Sequence, residues 1–410
     1  MTAERFIPFR KQDIIQMCAG KLNGDQSTHS FKQFCQLLSS VIHFDYHEVL
    51  ESLKDNYAPF DPNTDTQQLK RFTLEQRAQC QKDFAENFAN VLDAANFEKV
   101  TEQDLQDALT EESLFKVRLE VEFDDFDQVV FYRRGESQLS ETITSFFGFR
   151  KQTINFTNYD RVAVYITFKD KAYFDKKNKQ PVGFEPSSTI IKLFQNVPKA
   201  DLEMLFPNSE VKMRPIDKAI IGASALVGGA VVLVTKLGAS ILLLGALLAF
   251  WLGWRSESVE MTQQHVISFG LGIGIFASFI FKEWSKFKNR KIKFMKALSD
   301  NLYFKNLDNN AGVFHTLIDA AEEEDFKEAI LAYTFLLNVE QGLNAKALDE
   351  EIESWFETNY YCHLDFEISD ALAKLEQMNL VVLENNIYKA IPLEHAKKKL
   401  DQRWDAIFNY

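Results

Sequence analysis

Cysteine is sparse and follows no pairing pattern: Cys18, Cys35, Cys80 and Cys362 lie far apart and form no Cys-x-x-Cys. That spacing excludes a zinc-ribbon signature and, in a chain this long, a disulfide framework. It reads as free thiols in a reducing compartment. Basic charge is short as well. A net charge of −13 and a pI near 5.2 exclude broad nucleic-acid binding, which needs clustered Lys and Arg, so no nucleic-acid partner is expected. The opening Met1–Asp13 has no apolar h-region, and no cleaved signal peptide is expected. Also missing are a phosphate loop, a nucleophile–base pair and a complete metal-ligand set. No cofactor or metal is expected, and no catalytic residue can be assigned.

What the chain does have is a greasy middle. Ala219–Val234 and Leu237–Trp254 are almost unbroken apolar runs separated by Thr235 and Lys236, and Val266–Phe281 is a third. The overall hydrophobic fraction of 46% is ordinary, so this character is local. Such runs read as membrane spans: a tight transmembrane hairpin over 219–254 with a third apolar segment. Lys212, Arg214 and Lys218 precede the block, and Lys282, Lys286, Lys288, Arg290, Lys291 and Lys293 follow it. Two basic flanks call for an even number of crossings. Three runs then mean that one is re-entrant or incomplete, or that the charge rule fails here. The basic strip is read as a membrane-surface contact with lipids. Ser224, Gly228, Gly245, Ala249, Gly253, Gly270 and Gly274 recur at four-residue spacing and are read as span-packing positions, within one chain or between copies in a homo-oligomer.

Five regions follow. Residues 1–114 show three- and four-residue apolar spacing and read as helices, with segments at Phe31–Ile42, Tyr46–Asn56 and Thr73–Ala95. From Phe115 the period falls to two, and 115–215 reads as a small α+β domain with strands near Phe115–Phe123, Gln128–Tyr132, Arg161–Phe168 and Thr189–Phe194. Residues 216–284 are the transmembrane region and 285–340 a juxtamembrane helical hairpin. Residues 341–410 run helix, helix, hairpin, helix, with Asp365 as a cap and the turn at Asn385-Asn386, similar to a winged helix. The fold class is thus α+β with a transmembrane insertion. Glu367, Asp370 and Glu376 on the would-be recognition helix fit a protein partner for this C-terminal module, or a purely structural role, better than DNA.

Chemically suggestive groups are few. His43 and His47 stand four apart without the Glu of a zincin helix, so packing or capping outweighs metal binding. The cluster Glu120, Glu122, Asp124, Asp125 and Asp127 reads as the solvent face of a strand, with a divalent cation as the alternative. Arg133, Arg134, Arg150 and Lys151 could contact anionic headgroups. His315, Asp319, Glu322 and Glu323 share one helix face and read first as a solvated surface.

Several stretches carry a resemblance: Arg5–Arg10, Tyr57–Pro62, Tyr159–Ile166, Leu193–Pro207, Tyr303–Gly312 and Lys327–Tyr333. Together they resemble an uncharacterised domain-of-unknown-function membrane family of bacteria and plants, similar to animal mitochondrial transmembrane protein 143. The resemblance implies an integral membrane protein without an established activity, and it assigns no site residues. The resulting expectation is a multi-pass protein of the cell inner (plasma) membrane with cytoplasmic soluble domains, acting as a membrane-anchored interaction or scaffold protein. The alternatives are a lipid-handling membrane protein or enzyme, and a channel or transporter of oligomerised spans.

Overall fold

The computed structural model describes residues 5–22, 25–62, 69, 72–101, 103–105, 118–145, 150–181, 183–212, 223, 226–232, 234–235, 238–254 and 262–408. They divide into two compact units: one built from 1–111, 123–207 and 305–410, the other from 112–122 and 208–304.

The first unit is organised around helix α7 (Ala311–Leu337), which is buried along nearly its whole length. Its apolar residues point in every direction, as they must in a helix with neighbours all round. Around it pack α1 (Lys11–Lys21), α2 (Asp25–Tyr57), α3 (Leu74–Ala94), α8 (Ala345–Tyr360) and α9 (Ile368–Gln377). The seam is aromatic: Tyr57, Phe84, Phe88 and Phe314 pack with ring centroids 5.2 to 6.3 Å apart, and Tyr165 reaches in from the sheet. Such pairs add about 0.5–1.5 kcal/mol each beyond area burial. Helix α2 is continuous across Ile42–Tyr46, where two separate helices were expected, because Val41, Ile42, Tyr46 and Leu50 keep one buried face. Helix α3 begins at a capping box in which Thr73 and Gln76 satisfy each other's backbone N–H.

One antiparallel sheet has the strand order β1-β3-β4-β5-β7, from β1 (Glu98–Lys99), β3 (Phe126–Ser145), β4 (Arg150–Phe168), β5 (Thr189–Pro198) and β7 (Asn306–Asn309). Val162 to Phe168 is buried on both faces. Ala163 and Tyr165 join the helical core, while Phe168, Phe126 and Phe206 stack on the other side, which explains a near-continuous apolar run. Strands β3 and β4 extend well beyond the expected Gln128–Tyr132 and Arg161–Phe168; their outer halves are mostly polar, with a weak alternation around the Leu139–Phe156 pair. Between β4 and β5 lies α4 (Lys171–Lys176), capped by Asp170.

After α7 come α8, α9, the hairpin of β8 (Val381–Glu384) and β9 (Ile387–Ala390), and α10 (Leu393–Ala406). Asn385 and Asn386 both have positive φ, as a two-residue hairpin turn demands. Leu343 bridges Tyr388 with backbone bonds in both directions, adding a third strand-like edge. Helix α9 starts after Glu367, and Asp365 makes no cap.

The second unit holds a small ladder of β2 (Arg118–Glu120) and β6 (Glu210–Lys212), α5 (Gly238–Trp251) and the 43-residue α6 (Gln263–Lys305). The expected transmembrane hairpin with its third segment is overturned. Among the described residues, no helix is long and apolar enough to cross a membrane. At 1.5 Å per residue, the 14 residues of α5 reach about 21 Å against a hydrocarbon core of about 30 Å. Within α6 the apolar stretch Val266–Phe281 gives about 24 Å before Lys282 and Glu283 break it. Much of Ala219–Val234 lies outside the described residues. With the spans go the readings that need them: the integral membrane protein, the membrane-anchored scaffold, the lipid-handling membrane protein, the channel or transporter, and the multi-pass inner-membrane location.

Candidate functional site: the charged centre on helix α7

The middle of α7 carries a charged run, Glu322-Glu-Glu-Asp-Phe-Lys-Glu328, where the helix is largely covered. Glu324, Asp325, Lys327 and Glu328 are all buried. Ionised groups survive such burial when they are paired and hydrogen-bonded, as Glu324, Asp325 and Lys327 are. Lys327 Nζ donates to Glu324 Oε1 at 2.7 Å, to the Ile7 carbonyl at 2.9 Å and to the Phe9 carbonyl at 3.2 Å. Glu324 Oε2 accepts from the Ile7 N–H at 3.0 Å, and Glu323 Oε1 accepts from the Lys11 N–H at 3.0 Å. Asp325 Oδ2 accepts from Tyr46 Oη at 2.6 Å and pairs with Lys374 of α9.

Glu328 is held differently. Its Oε1 accepts from Asn96 Nδ2 at 3.0 Å, the side chain being delivered by a left-handed turn (φ 57°) after α3. Burial pushes the Glu328 carboxyl well above its ordinary 4.5, against that hydrogen bond, and the neighbouring Asp325, Glu324 and Asp370 push the same way. The centre can therefore hold a proton at Glu328 and present a fixed donor–acceptor pair, Lys327 and Glu324, to a main chain.

The sequence flagged one edge of this centre and missed its heart. Glu322 and Glu323 do belong to it: Glu322 meets His43 Nδ1 at 2.7 Å and Lys11 at 3.7 Å. His315 and Asp319 stay at the surface, as does His47. Among the described residues no group of His, Cys, Asp and Glu could hold a metal ion. Glu324, Asp325, Lys327 and Glu328 were passed over because a charge run normally marks a solvated face. The available signal was its position, directly before the largely apolar Ala329–Leu337.

The other flagged residues serve locally. Asp124, Asp125 and Asp127 pair with Lys177, Lys179 and Lys169. Arg133 pairs with Glu98 and Glu136, and Arg134 donates to the Ala95 carbonyl and lies over Phe6 and Phe97. The side chains of Glu120, Arg150 and Lys151 lie outside the described residues. Lys282, Lys286, Lys288, Arg290, Lys291 and Lys293 all fall on α6, and among the described residues no helix is long and apolar enough to be a span beside them. Of the small residues, Gly228 sits against Phe279, Gly245 and Ala249 lie on α5, and Gly253 follows it with φ +74°. Gly270 and Gly274 face open space on α6, and Ser224 lies outside the described residues.

A solvent-open cavity of about 580 Å³ lies between α2, α3, α9 and α10, with Tyr46, Lys374, Asn87 and Arg403 in its wall. Its cations are already engaged, Lys374 by Asp325 and Arg403 by Asp45 at 3.0 Å. Residues 159–312 match the family described as "Protein of unknown function (DUF3754)". The matched stretch runs from β4 into the first turn of α7 and contains the Tyr159–Ile166, Leu193–Pro207 and Tyr303–Gly312 motifs. No solved structure matches the chain.

Proposed function

We propose that the protein is a self-associating interaction protein whose second unit docks against the same unit of another copy. The observation that supports this is the surface of α5 and α6. Leu242, Trp251 and Trp254 are about four-fifths exposed, and Val266, Ile273 and Ile280 about half. A dozen such side chains at about 100 Å² each exceed the roughly 300–600 Å² patch of an ordinary monomer and reach the ~800 Å² per partner of a stable interface. The finer resemblance to transmembrane protein 143 stands on the motifs and supplies no activity.

A second copy fits because the stripe has a heptad period. Val266, Ile273 and Ile280 are seven apart, Phe287 and Phe294 continue the count in sequence, and Trp284 falls at the alternate position. The face of α6 already covered, at Phe279 against Gly228, lies about 100° around the helix from Ile280. In a parallel, in-register pair Glu283 would stand opposite Lys288 of the second copy, an attractive flanking pair. Sedimentation velocity on the full chain without detergent tests this. A concentration-dependent dimer, reduced to monomer by Ile273→Glu with Ile280→Glu, is expected. A monomer at tens of micromolar, or a chain that instead floats with neutral lipid vesicles, refutes it.

A further inference from the structure

The N-terminal segment Arg5–Arg10 has no regular secondary structure, yet it is among the most specifically held pieces of the first unit. Both polar groups of Ile7 are read by one buried pair on α7: Glu324 takes its N–H at 3.0 Å and Lys327 gives to its carbonyl at 2.9 Å. A neighbouring β-strand reads an extended residue in this way; here two side chains do it. Lys327 also reaches the Phe9 carbonyl. Pro8 lies between, exposed, with no N–H to satisfy and a fixed φ that lowers the entropy lost on docking.

Side chains supply the selectivity. Ile7 is enclosed at 2% exposure. Phe9 stacks on Phe356 at 5.7 Å and meets Tyr360 edge-on at 5.6 Å. Phe6 lies under the Arg134 guanidinium at 5.3 Å, and Arg5 pairs with Glu367 at the start of α9. Enclosed apolar pockets at alternate residues, main-chain reading between them and an ionic anchor at one end are how extended peptides are recognised.

We propose that this face of α7 is a peptide-recognition site and that residues 5–10 are its resident occupant, exchangeable for a partner segment of the same pattern: basic, aromatic, aliphatic, proline, aromatic. Exchange is feasible because Lys327 and Glu324 remain bonded to each other at 2.7 Å when the segment leaves, so neither is stranded as a lone buried charge. Among the described residues, no strand pairs with the segment. This proposal is independent of self-association through α6.

The probe is a fluorescent peptide of the sequence Arg-Phe-Ile-Pro-Phe-Arg, tested by anisotropy against the full chain. Wild type should bind it weakly, because its own segment competes. A variant with Ile7→Asp and Phe9→Ala should bind it at least tenfold tighter, and adding Glu324→Gln with Lys327→Met should abolish the gain. In parallel, hydrogen exchange on wild type should show the Ile7 and Lys11 amides opening at least a hundredfold faster than those of Ala329–Tyr333. A folded segment variant that binds no peptide overturns the proposal, as does binding indifferent to the Glu324 and Lys327 changes. So does an Ile7 amide that exchanges together with the α7 core, a measurement that decides the matter even if the segment variant fails to fold.

Discussion

Replacing Glu328 by Gln should make the protein more stable at neutral pH and leave it unchanged in acid. Glu328 is 3% exposed, and its carboxyl is raised well above 4.5 by burial, with Asp325, Glu324 and Asp370 adding to the rise. A carboxyl raised by folding stabilises the fold fully below its unfolded value and loses that contribution as pH climbs towards its folded value, because the unfolded chain sheds the proton first. Each pH unit over which the folded group alone keeps its proton costs about 1.4 kcal/mol. Between 4.5 and 7 the limit is about 3 kcal/mol. Glutamine keeps an oxygen for the 3.0 Å bond from Asn96 Nδ2 and needs no proton to stay neutral. The expected gain therefore lies below that limit at pH 7 and is close to zero at pH 4.5. Urea unfolding of both proteins from pH 4.5 to 8 measures it. A variant less stable than wild type at pH 7, or a difference that does not change with pH, would show that Glu328 is ionised in the fold.

Gly342 has φ +73°, and an added Cβ would lie 2.3 Å from the Tyr388 carbonyl oxygen, which is backbone and cannot turn aside. Gly342→Ala should cost about 2–4 kcal/mol in denaturant unfolding, from backbone strain and overpacking together. Thr73→Ala breaks the reciprocal cap of α3 and should cost about 1 kcal/mol in the same assay, with the amides of the first turn losing exchange protection. Burial pushes the Cys18 thiol up to about 12 and Cys35 is raised and buried too, while Cys80 and Cys362 are half-exposed. A thiol reagent at pH 8 should therefore titrate Cys80 and Cys362 in the native protein and reach Cys18 and Cys35 on unfolding.

Legibility in the sequence followed the physics of each element. Helix α3 could be read because its cap and its apolar period are both local, and the β8–β9 hairpin because Asn385-Asn386 carries its own turn geometry. The outer halves of β3 and β4 are mostly polar around the Leu139–Phe156 pair, so pairing defines them where patterning is weak. The apolar middle misled because an apolar run and a helix need not coincide: α5 stops at Trp251, and within the continuous α6 the apolar run ends at Lys282 and Glu283. The charged centre was hidden for the opposite reason. Local charge density on 322–328 says solvent, and only the segments that fold over it, residues 5–11 from one side and Tyr46, Asn96 and Lys374 from others, turn it into an interior.

That inversion ties together two distant stretches of the first unit, 1–111 and 305–410. Lys327 and Glu324 are satisfied by residues 7 and 9, Glu328 by residue 96 and Asp325 by residues 46 and 374. Removing Asn96 or Lys374 would leave a buried carboxyl without its compensating partner, at about 1–3 kcal/mol for a neutral group and more for an ion. An apolar interior would tolerate many alternative packings of the same helices. This one penalises every arrangement that fails to bring residues 7, 46, 96 and 374 to the same turns of α7. The charges at the centre thus select the arrangement of the unit more than they add to its stability. Lys374→Met, which strands Asp325, should consequently destabilise the fold more than Lys374→Met combined with Asp325→Leu.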